Sequence, residues 1–273
     1  MTTTPPRSSA EEQALARHRD ELRQRFPMPA PAPRPPRKAS LIGAGLLLVA
    51  ATLYWADPAY RREHYATAFA QREAVTLADG SQVTFDSDTR MTVSWHLRSR
   101  RVALDQGQAL FDVSPTWTRP FQVSGGGVEV NVLGTLFNVR LAAQSTQVTL
   151  LRGRVQVASP QGSAQLLSGQ QVVARAGRLQ AVTRIDAEAA SAWTDNRLVF
   201  QRTPLGQALE QIQRYRRAPI RLDDPSLAEL PITGVFDSSN VEPLLGLLPS
   251  FLPVTLASEA DGTLHIKRKP PKK

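Results

Sequence analysis

The sequence predicts a single transmembrane helix, an all-β sandwich or roll, and a small C-terminal α+β domain of βαβ-βαβ order. Three observations predict it. Ala39–Ala56 contains no charged residue. From about residue 73 to 183, short apolar–polar alternations are separated by glycine-bearing turns, the pattern of antiparallel ribbons. Beyond residue 186, apolar residues at helical spacing reappear between further strand-like runs.

Residues 1–38 read as a short tail. Ser9 and Glu12 fit a capping box, which starts a helix at about Ala10 and carries it to about Phe26. Leu15, His18, Leu22 and Phe26 lie near one face of this helix over 10–26, with Arg17, Arg19, Glu21 and Arg23 around the others. That stripe is too thin to fold alone. It is either a solvated, fluctuating helix or a peptide that orders on a partner. Residues 27–36 contain six prolines, an extended spacer.

At about 1.5 Å per residue, the stretch 39–56 covers roughly 27 Å, close to the ~30 Å hydrocarbon core of a bilayer. A buried core helix would show a polar face, and this one has none. A cleaved signal peptide would begin near the N-terminus and end in a small-residue site. Here 38 residues come first, and Ala68–Ala70 lies beyond Asp57, Arg61, Arg62 and Glu63. Tyr54 and Trp55 close the run, where amphipathic aromatics sit at headgroup level. Four basic residues precede the span within 15 positions (Arg25, Arg34, Arg37, Lys38) and two follow it (Arg61, Arg62). The positive-inside bias then places the N-terminus in the cytoplasm and residues 57–273 outside it.

Residues 57–72 read as a juxtamembrane linker. The strands that follow include Glu73–Leu77, Gln82–Phe85, Arg101–Leu104, Ala109–Val113, Gly127–Val132, Leu136–Arg140, Gln147–Leu151, Arg154–Ala158 and Gln170–Ala174. Asp79-Gly80, Gln106-Gly107, Arg152-Gly153 and Ser168-Gly169 separate them, and Phe111, Phe121 and Phe137 alternate with polar neighbours as core residues do. Some ten to twelve short strands without a long helix make a sandwich or roll over 73–183. In 186–268, Asp186 caps a short segment through Trp193 and Leu198–Phe200 is a strand. Thr203 is an N-cap with Pro204 at N1 of an amphipathic helix carrying Leu205, Ala208, Leu209, Ile212 and Tyr215. Asn240 caps a second helix with Val241, Leu244, Leu245 and Leu248. Strands at Ile220–Leu222, Ile232–Phe236, Val254–Ala257 and Thr263–Lys267 complete the module, and 269–273 is a basic tail.

The net charge of +9 invites a nucleic-acid reading, but its distribution opposes one. Residues 57–190 carry 14 basic against 11 acidic residues, and 191–273 carry 11 against 9, largely interspersed. Arg98, Arg100 and Arg101 form the nearest thing to a cluster and read as a solvated turn between strands. There is no cysteine, so disulfides, thiolate metal sites and thiol nucleophiles are excluded together. The four histidines are scattered, and no nucleophile elbow, phosphate loop or dinucleotide fingerprint is present. Gly125, Gly126 and Gly127 read as a turn between two strands. No enzyme, cofactor or metal is expected.

Six segments in order carry a resemblance: Leu77-Ala-Asp-Gly-Ser-Gln-Val83, Arg101-Val-Ala-Leu-Asp-Gln-Gly-Gln-Ala-Leu-Phe-Asp-Val113, Arg119-Pro-Phe-Gln-Val123, Val132-Leu-Gly-Thr-Leu-Phe-Asn-Val-Arg140, Leu151-Arg-Gly-Arg-Val155 and Leu167-Ser-Gly-Gln170. Together they resemble the FecR family of transmembrane anti-sigma regulators. The C-terminal module resembles the domain shared by secretins and the N-termini of TonB-dependent receptors, on its element order, Phe200-x-x-x-Pro204-Leu205 and Ile232-Thr-Gly234.

The resemblance implies an inner-membrane relay. An outer-membrane TonB-dependent receptor contacts the periplasmic body, and the tail holds or modulates a cytoplasmic extracytoplasmic-function (ECF) sigma factor controlling iron or siderophore uptake genes. Regulated proteolysis near the span is a further implied step. On this reading Leu15, His18, Leu22 and Phe26 contact the sigma factor, and Ile220, Leu222, Ile232 and Val235 contact the receptor. The tail is short for the family, with all four tryptophans at or after the end of the span. The alternative is a membrane-anchored periplasmic envelope-assembly module with no sigma-factor role.

Overall fold

The computed structural model describes residues 9–26 and 37–270, with the side chains of 9–11 and 37–44 outside that description. The proline-rich spacer, the Ser9 side of the capping box and residues 271–273 of the basic tail therefore lie outside the described residues. The chain divides into two units, Met1–Thr52 and Leu53–Lys273.

Helix α1 spans Ser9–Arg25, one residue earlier at each end than the sequence suggests. Arg23 and Arg25 fall in its last turn, where positive charge complements the helix dipole. Helix α2 spans Arg37–Ala56 and contains the whole uncharged stretch. Among the described residues no helix is long and apolar enough to cross a membrane. Leu46, Leu47, Leu48 and Val49 of α2 are all exposed.

The sandwich is built from β1 (Ala59–Ala66), β2 (Glu73–Thr76), β3 (Gln82–Phe85), β4 (Arg90–His96), β5 (Arg100–Gln106), β6 (Gln108–Asp112), β7 (Phe121–Gly125), β8 (Val128–Val132), β9 (Leu136–Ala142), β10 (Ser145–Arg152), β11 (Arg154–Ser159), β12 (Gly162–Leu167), β13 (Gln170–Arg175), β14 (Arg178–Leu179) and β15 (Thr183–Arg184). One sheet has the order β1-β4-β5-β7-β8-β11-β12. The other runs β14-β13-β10-β9-β6-β3-β2, with β15 also on β13. Neighbours within the two sheets are antiparallel except β5 and β7. A parallel pair needs a crossover, and here the chain crosses to the second sheet as β6 before returning as β7.

Period-2 alternation fills the space between the sheets. Val83, Phe85, Val93, Phe111, Phe121, Val130, Phe137, Val148, Leu150 and Val157 are all buried there. Phe111 stacks on Phe137 at 5.1 Å and meets Phe121 edge-on at 6.1 Å, favourable ring geometries beyond simple burial. Gly107 turns the chain between β5 and β6 at φ +91°, and a Cβ there would lie 2.6 Å from the Thr89 Cα. Only glycine fits that position.

Two readings of this region need correction. Residues 57–72 are not simply a linker, because Ala59–Ala66 is the first strand, paired along β4 from Ala59↔His96 to Ala66↔Arg90. It is an edge strand with one solvated face, so its Arg61-Arg62-Glu63 run hides the alternation; Tyr65 still stacks on Phe85 at 5.6 Å. Arg100 is not part of a solvated turn. It is 1% exposed, ion-paired with Asp79, and its Nε donates to the Arg119 carbonyl at 3.0 Å.

After the sandwich come α3 (Ala187–Ser191), a 3-10 turn (Ala192–Asp195), β16 (Arg197–Pro204), α4 (Leu205–Gln213), β17 (Ile220–Leu222), β18 (Pro231–Asp237), α5 (Glu242–Phe251), β19 (Val254–Ser258) and β20 (Leu264–Arg268). The order is β-α-β, β-α-β, β. Strands β16 and β18 pair antiparallel, and β17-β20-β19 form a second small sheet. Leu198, Phe200, Leu205, Ile212, Leu244, Leu248, Val254 and Ile266 share its core.

Asp186 caps α3 as expected, accepting from the Glu188 and Ala189 amides. The other two caps differ. Strand β16 continues through Thr203, opposite Ile232, so Pro204 takes the cap position of α4 and Thr203 Oγ1 instead accepts from the Gln201 amide at 3.3 Å. At α5 the cap is Val241, with no side-chain hydrogen bond, and Asn240 lies one residue too early.

Candidate functional site

Leu15, His18 and Leu22 sit on α1 at spacings of three and four, which places them on one face. The Phe26 amide donates to the Leu22 carbonyl at 2.9 Å and continues that row. Leu15, Leu22 and Phe26 are exposed, and His18 lies 3.7 Å from Glu21. The other four residues do not form one surface. Ile232 is 1% exposed in the module core and presents nothing to a partner. Ile220 and Leu222 pack partly against that core from β17, which is an edge strand, and Val235 on β18 is 60% exposed.

Sequence reasoning missed the polar seam between sandwich and module. The turn after β3 carries Asp86 and Ser87, both buried. Asp86 accepts from Arg72 Nε at 3.2 Å, from Arg214 Nε at 3.2 Å, and from the Tyr215 hydroxyl. Arg72 continues across the seam to Asn196 Oδ1 and Ser238 Oγ. Ser87 donates its hydroxyl to the Arg214 carbonyl at 2.8 Å, and Arg214 Nη2 donates back to the Ser87 carbonyl at 2.9 Å. Two cationic forks and a phenol thus converge on one carboxylate. Burial, and then the Asp86 charge, push the Tyr215 hydroxyl well above its ordinary pKa, so it stays a donor.

Beside this seam lies a cleft of about 430 Å³ between the outward face of the second sheet and the α3–α4 side of the module. Alternation dictates its sheet wall: with Phe137, Val139, Val148 and Leu150 turned inward, Asn138, Arg140, Gln147 and Thr149 must face out. Cross-strand hydrogen bonds order this wall. Gln108 Nε2 donates to Asn138 Oδ1 at 3.1 Å, and Gln171 Oε1 accepts from Gln147 Nε2 and Thr149 Oγ1. Arg140 stands directly between Gln108 and Gln147 in register. Its Nε is buried without a hydrogen-bond partner, as is the Trp193 Nε1 across the cleft. Burial, then the charge of Arg214, push the Arg140 guanidinium below its ordinary pKa; Glu210, Tyr215 and Asp86 oppose that. Among the described residues no group of three or more His, Asp or Glu is placed to hold a metal ion.

The architecture defines a two-sheet β-sandwich joined to a small α+β module through a polar seam. Residues 63–156, from within β1 to within β11, match the family model described as FecR protein. Two crystal structures of a candidate anti-sigma factor from Parabacteroides distasonis ATCC 8503 share the fold. One covers 77% of this chain and 100% of its own at 24% identity, with a TM-score of 0.68. The other covers 76% and 100% at 24% identity, with a TM-score of 0.69. No curated protein sequence matches the chain.

Proposed function

We propose that this is an anti-sigma regulator of FecR type, a single-pass inner-membrane protein with a cytoplasmic tail (1–38) and a periplasmic body (57–273). The tail would engage an ECF sigma factor. The body would receive a signal from the signalling domain of an outer-membrane TonB-dependent receptor and so govern iron or siderophore uptake genes. The observation that carries the reading is the match of residues 63–156 to the FecR family model. The fold shared with the Parabacteroides distasonis protein, itself described as a candidate anti-sigma factor, supports it.

Physical features agree. The exposed Leu46–Val49 surface of α2 is the kind that lipid covers. The exposed Leu15, Leu22 and Phe26 row on α1 suits a helix-in-groove contact with a sigma factor. On the module, the edge strand β17 with Ile220 and Leu222 is the surface we assign to the receptor, with Val235, exposed on the separate β16–β18 sheet, as a second contact point.

Affinity capture of the full-length protein from detergent-solubilised membranes tests this. A sigma factor should co-purify, and Leu15→Asp with Leu22→Asp should abolish it. Survival of the complex in that double variant removes α1 as the contact. If no sigma factor is captured and deleting residues 1–30 leaves function intact, the envelope-assembly reading replaces this one. Recovery of the intact chain in the soluble fraction without detergent removes the membrane span.

A further inference from the structure

We propose that the cleft between the second sheet and the module binds a small oxyanion-bearing ligand, a carboxylate or phosphate compound, anchored by Arg140. Nothing in the relay requires such a site, and the inference stands on the cleft alone.

The donors around it outnumber what the protein satisfies. Of four arginines lining the cleft, Arg214 is committed to Asp86 and Ser87, and Arg197 lies 3.7 Å from Asp195 and 4.0 Å from Glu188. Arg140 and Arg184 have no acidic partner within ion-pair distance among the described residues. For Arg184, which is exposed, water suffices. Arg140 is half-buried, and its Nε is shut off from water without a partner, an unmet donor that costs free energy until an acceptor reaches it. Trp193 Nε1, also buried and unpartnered, lines the same space and can only donate. Two orphaned donors on residues that line one cleft call for a ligand rich in acceptors.

The amides point the same way. Asn138 Oδ1 and Gln171 Oε1 already accept within the sheet wall, so each of these side chains has its NH2 to offer. The single acid in the lining, Asp186, is occupied capping α3 and accepting from Gln201 Nε2 at 2.8 Å. The surroundings of the bound group are thus cationic and donor-rich, and about 430 Å³ suits a small molecule rather than a peptide segment.

Isothermal titration calorimetry on the full-length protein in detergent tests this with two probes, citrate and inorganic phosphate, at matched ionic strength. At least one should bind saturably at one site, and which of the two binds tells carboxylate from phosphate recognition. Arg140→Met keeps the aliphatic stem, removes the orphaned charge, and should weaken that binding at least tenfold while the thermal midpoint holds or rises. Trp193→Phe, which removes only the second donor, should weaken it less and serves as the readout if Arg140→Met does not fold. The absence of saturable binding of either probe by the unaltered protein overturns the proposal. So does an affinity unchanged in Arg140→Met, or in Trp193→Phe where that variant alone folds.

Discussion

Tyr215 donates its hydroxyl into the Asp86 carboxylate, 2.9 Å from each oxygen, and so ties the end of α4 to the turn after β3. The same carboxylate holds Arg72 and Arg214, so one buried acid on the sandwich organises three side chains at the seam. Removing the acid strands both guanidinium groups in a largely buried place. Asp86→Ala should cost about 3–5 kcal/mol, the usual penalty for breaking a buried pair from one side. Tyr215→Phe, which loses one hydrogen bond, should cost about 1–3 kcal/mol. Urea unfolding of the two single variants and the double variant measures their coupling. Strict additivity would mean that the phenol and the carboxylate act independently.

The same contact predicts an alkaline limb. Burial, and then the Asp86 charge, raise the Tyr215 pKa in the folded chain above the ~10 of a free phenol. A raised folded value means the fold holds the proton more tightly than the unfolded chain does. The stabilisation is therefore complete below pH ~10 and falls as pH climbs beyond it. Tyr65, pushed up to about 12 by burial and by its hydrogen bond to Glu63, adds to the same limb. Unfolding midpoints measured on either side of pH ~10 should decline more steeply in the unaltered protein than in Tyr215→Phe. Equal slopes would refute the assignment.

Much of this architecture was legible in the alternation of apolar and polar residues. Phe111, Phe121 and Phe137 could be assigned to the core because their neighbours are polar and period 2 leaves them one side to face. The helices α4 and α5 followed from Leu205, Leu209, Ile212 and Leu244, Leu248 at helical spacing. The seam was not legible. Asp86, Arg72 and Arg214 look like surface residues, because they meet only where the sandwich and the module dock, Asp86 and Arg214 lying 128 residues apart in the chain. Arg100 misled for a related reason: its partner Asp79 belongs to a turn in the other sheet, and charge proximity in sequence (Arg98, Arg101) hid a pair made in space. Ile232 shows the limit of choosing contact residues by hydrophobicity alone, since it is in the core while Val235, three positions on, is exposed. Arg140 and Trp193 carried no signal beyond their parity and composition.

Arg100 supplies a further test. Its guanidinium pairs with Asp79, donates to the Arg119 and Ser114 carbonyls, and lies 5.2 Å from the Phe121 ring, while Nη2 finds no partner. It therefore pins the start of β5 to the crossover that leads into β7. Asp79 also orders its own turn, accepting from the Ser81 amide and hydroxyl. Asp79→Asn keeps an acceptor for that turn and removes the charge, so the loss isolates the ion pair. We expect about 3–5 kcal/mol, because an unneutralised Arg100 remains buried. Arg100→Met in the Asp79→Asn background should recover most of that loss in chemical denaturation. No recovery would mean that the cost came from the turn and not from the stranded charge.

The last prediction concerns the residue that follows α2. Asp57 is buried at φ +41° and is enclosed by the β4–β5 turn: its carboxylate accepts from the Arg98 amide at 3.0 Å and the Ser99 hydroxyl at 2.8 Å, with Arg101 at 3.5 Å. Its carbonyl meets His96 Nδ1, and Arg98 reaches back to the Tyr54 carbonyl and lies over the Tyr54 ring. Burial raises the Asp57 pKa, but the hydrogen bonds from Ser99 and Arg98 and the charges of His96 and Arg101 outweigh it, leaving the group below its ordinary value. A lowered folded value means that the carboxylate form is what the fold binds. Its stabilisation is then present above the ~3.9 of a free aspartate and is lost as pH falls through the lower folded value. Asn tolerates positive φ, so Asp57→Asn tests the charge without straining the backbone. The variant should be less stable at neutral pH by about 1–3 kcal/mol, and it should lose less than the unaltered protein on acidification. Parallel acid-unfolding curves for the two proteins would show that the carboxylate charge does not hold this turn to the end of the helix.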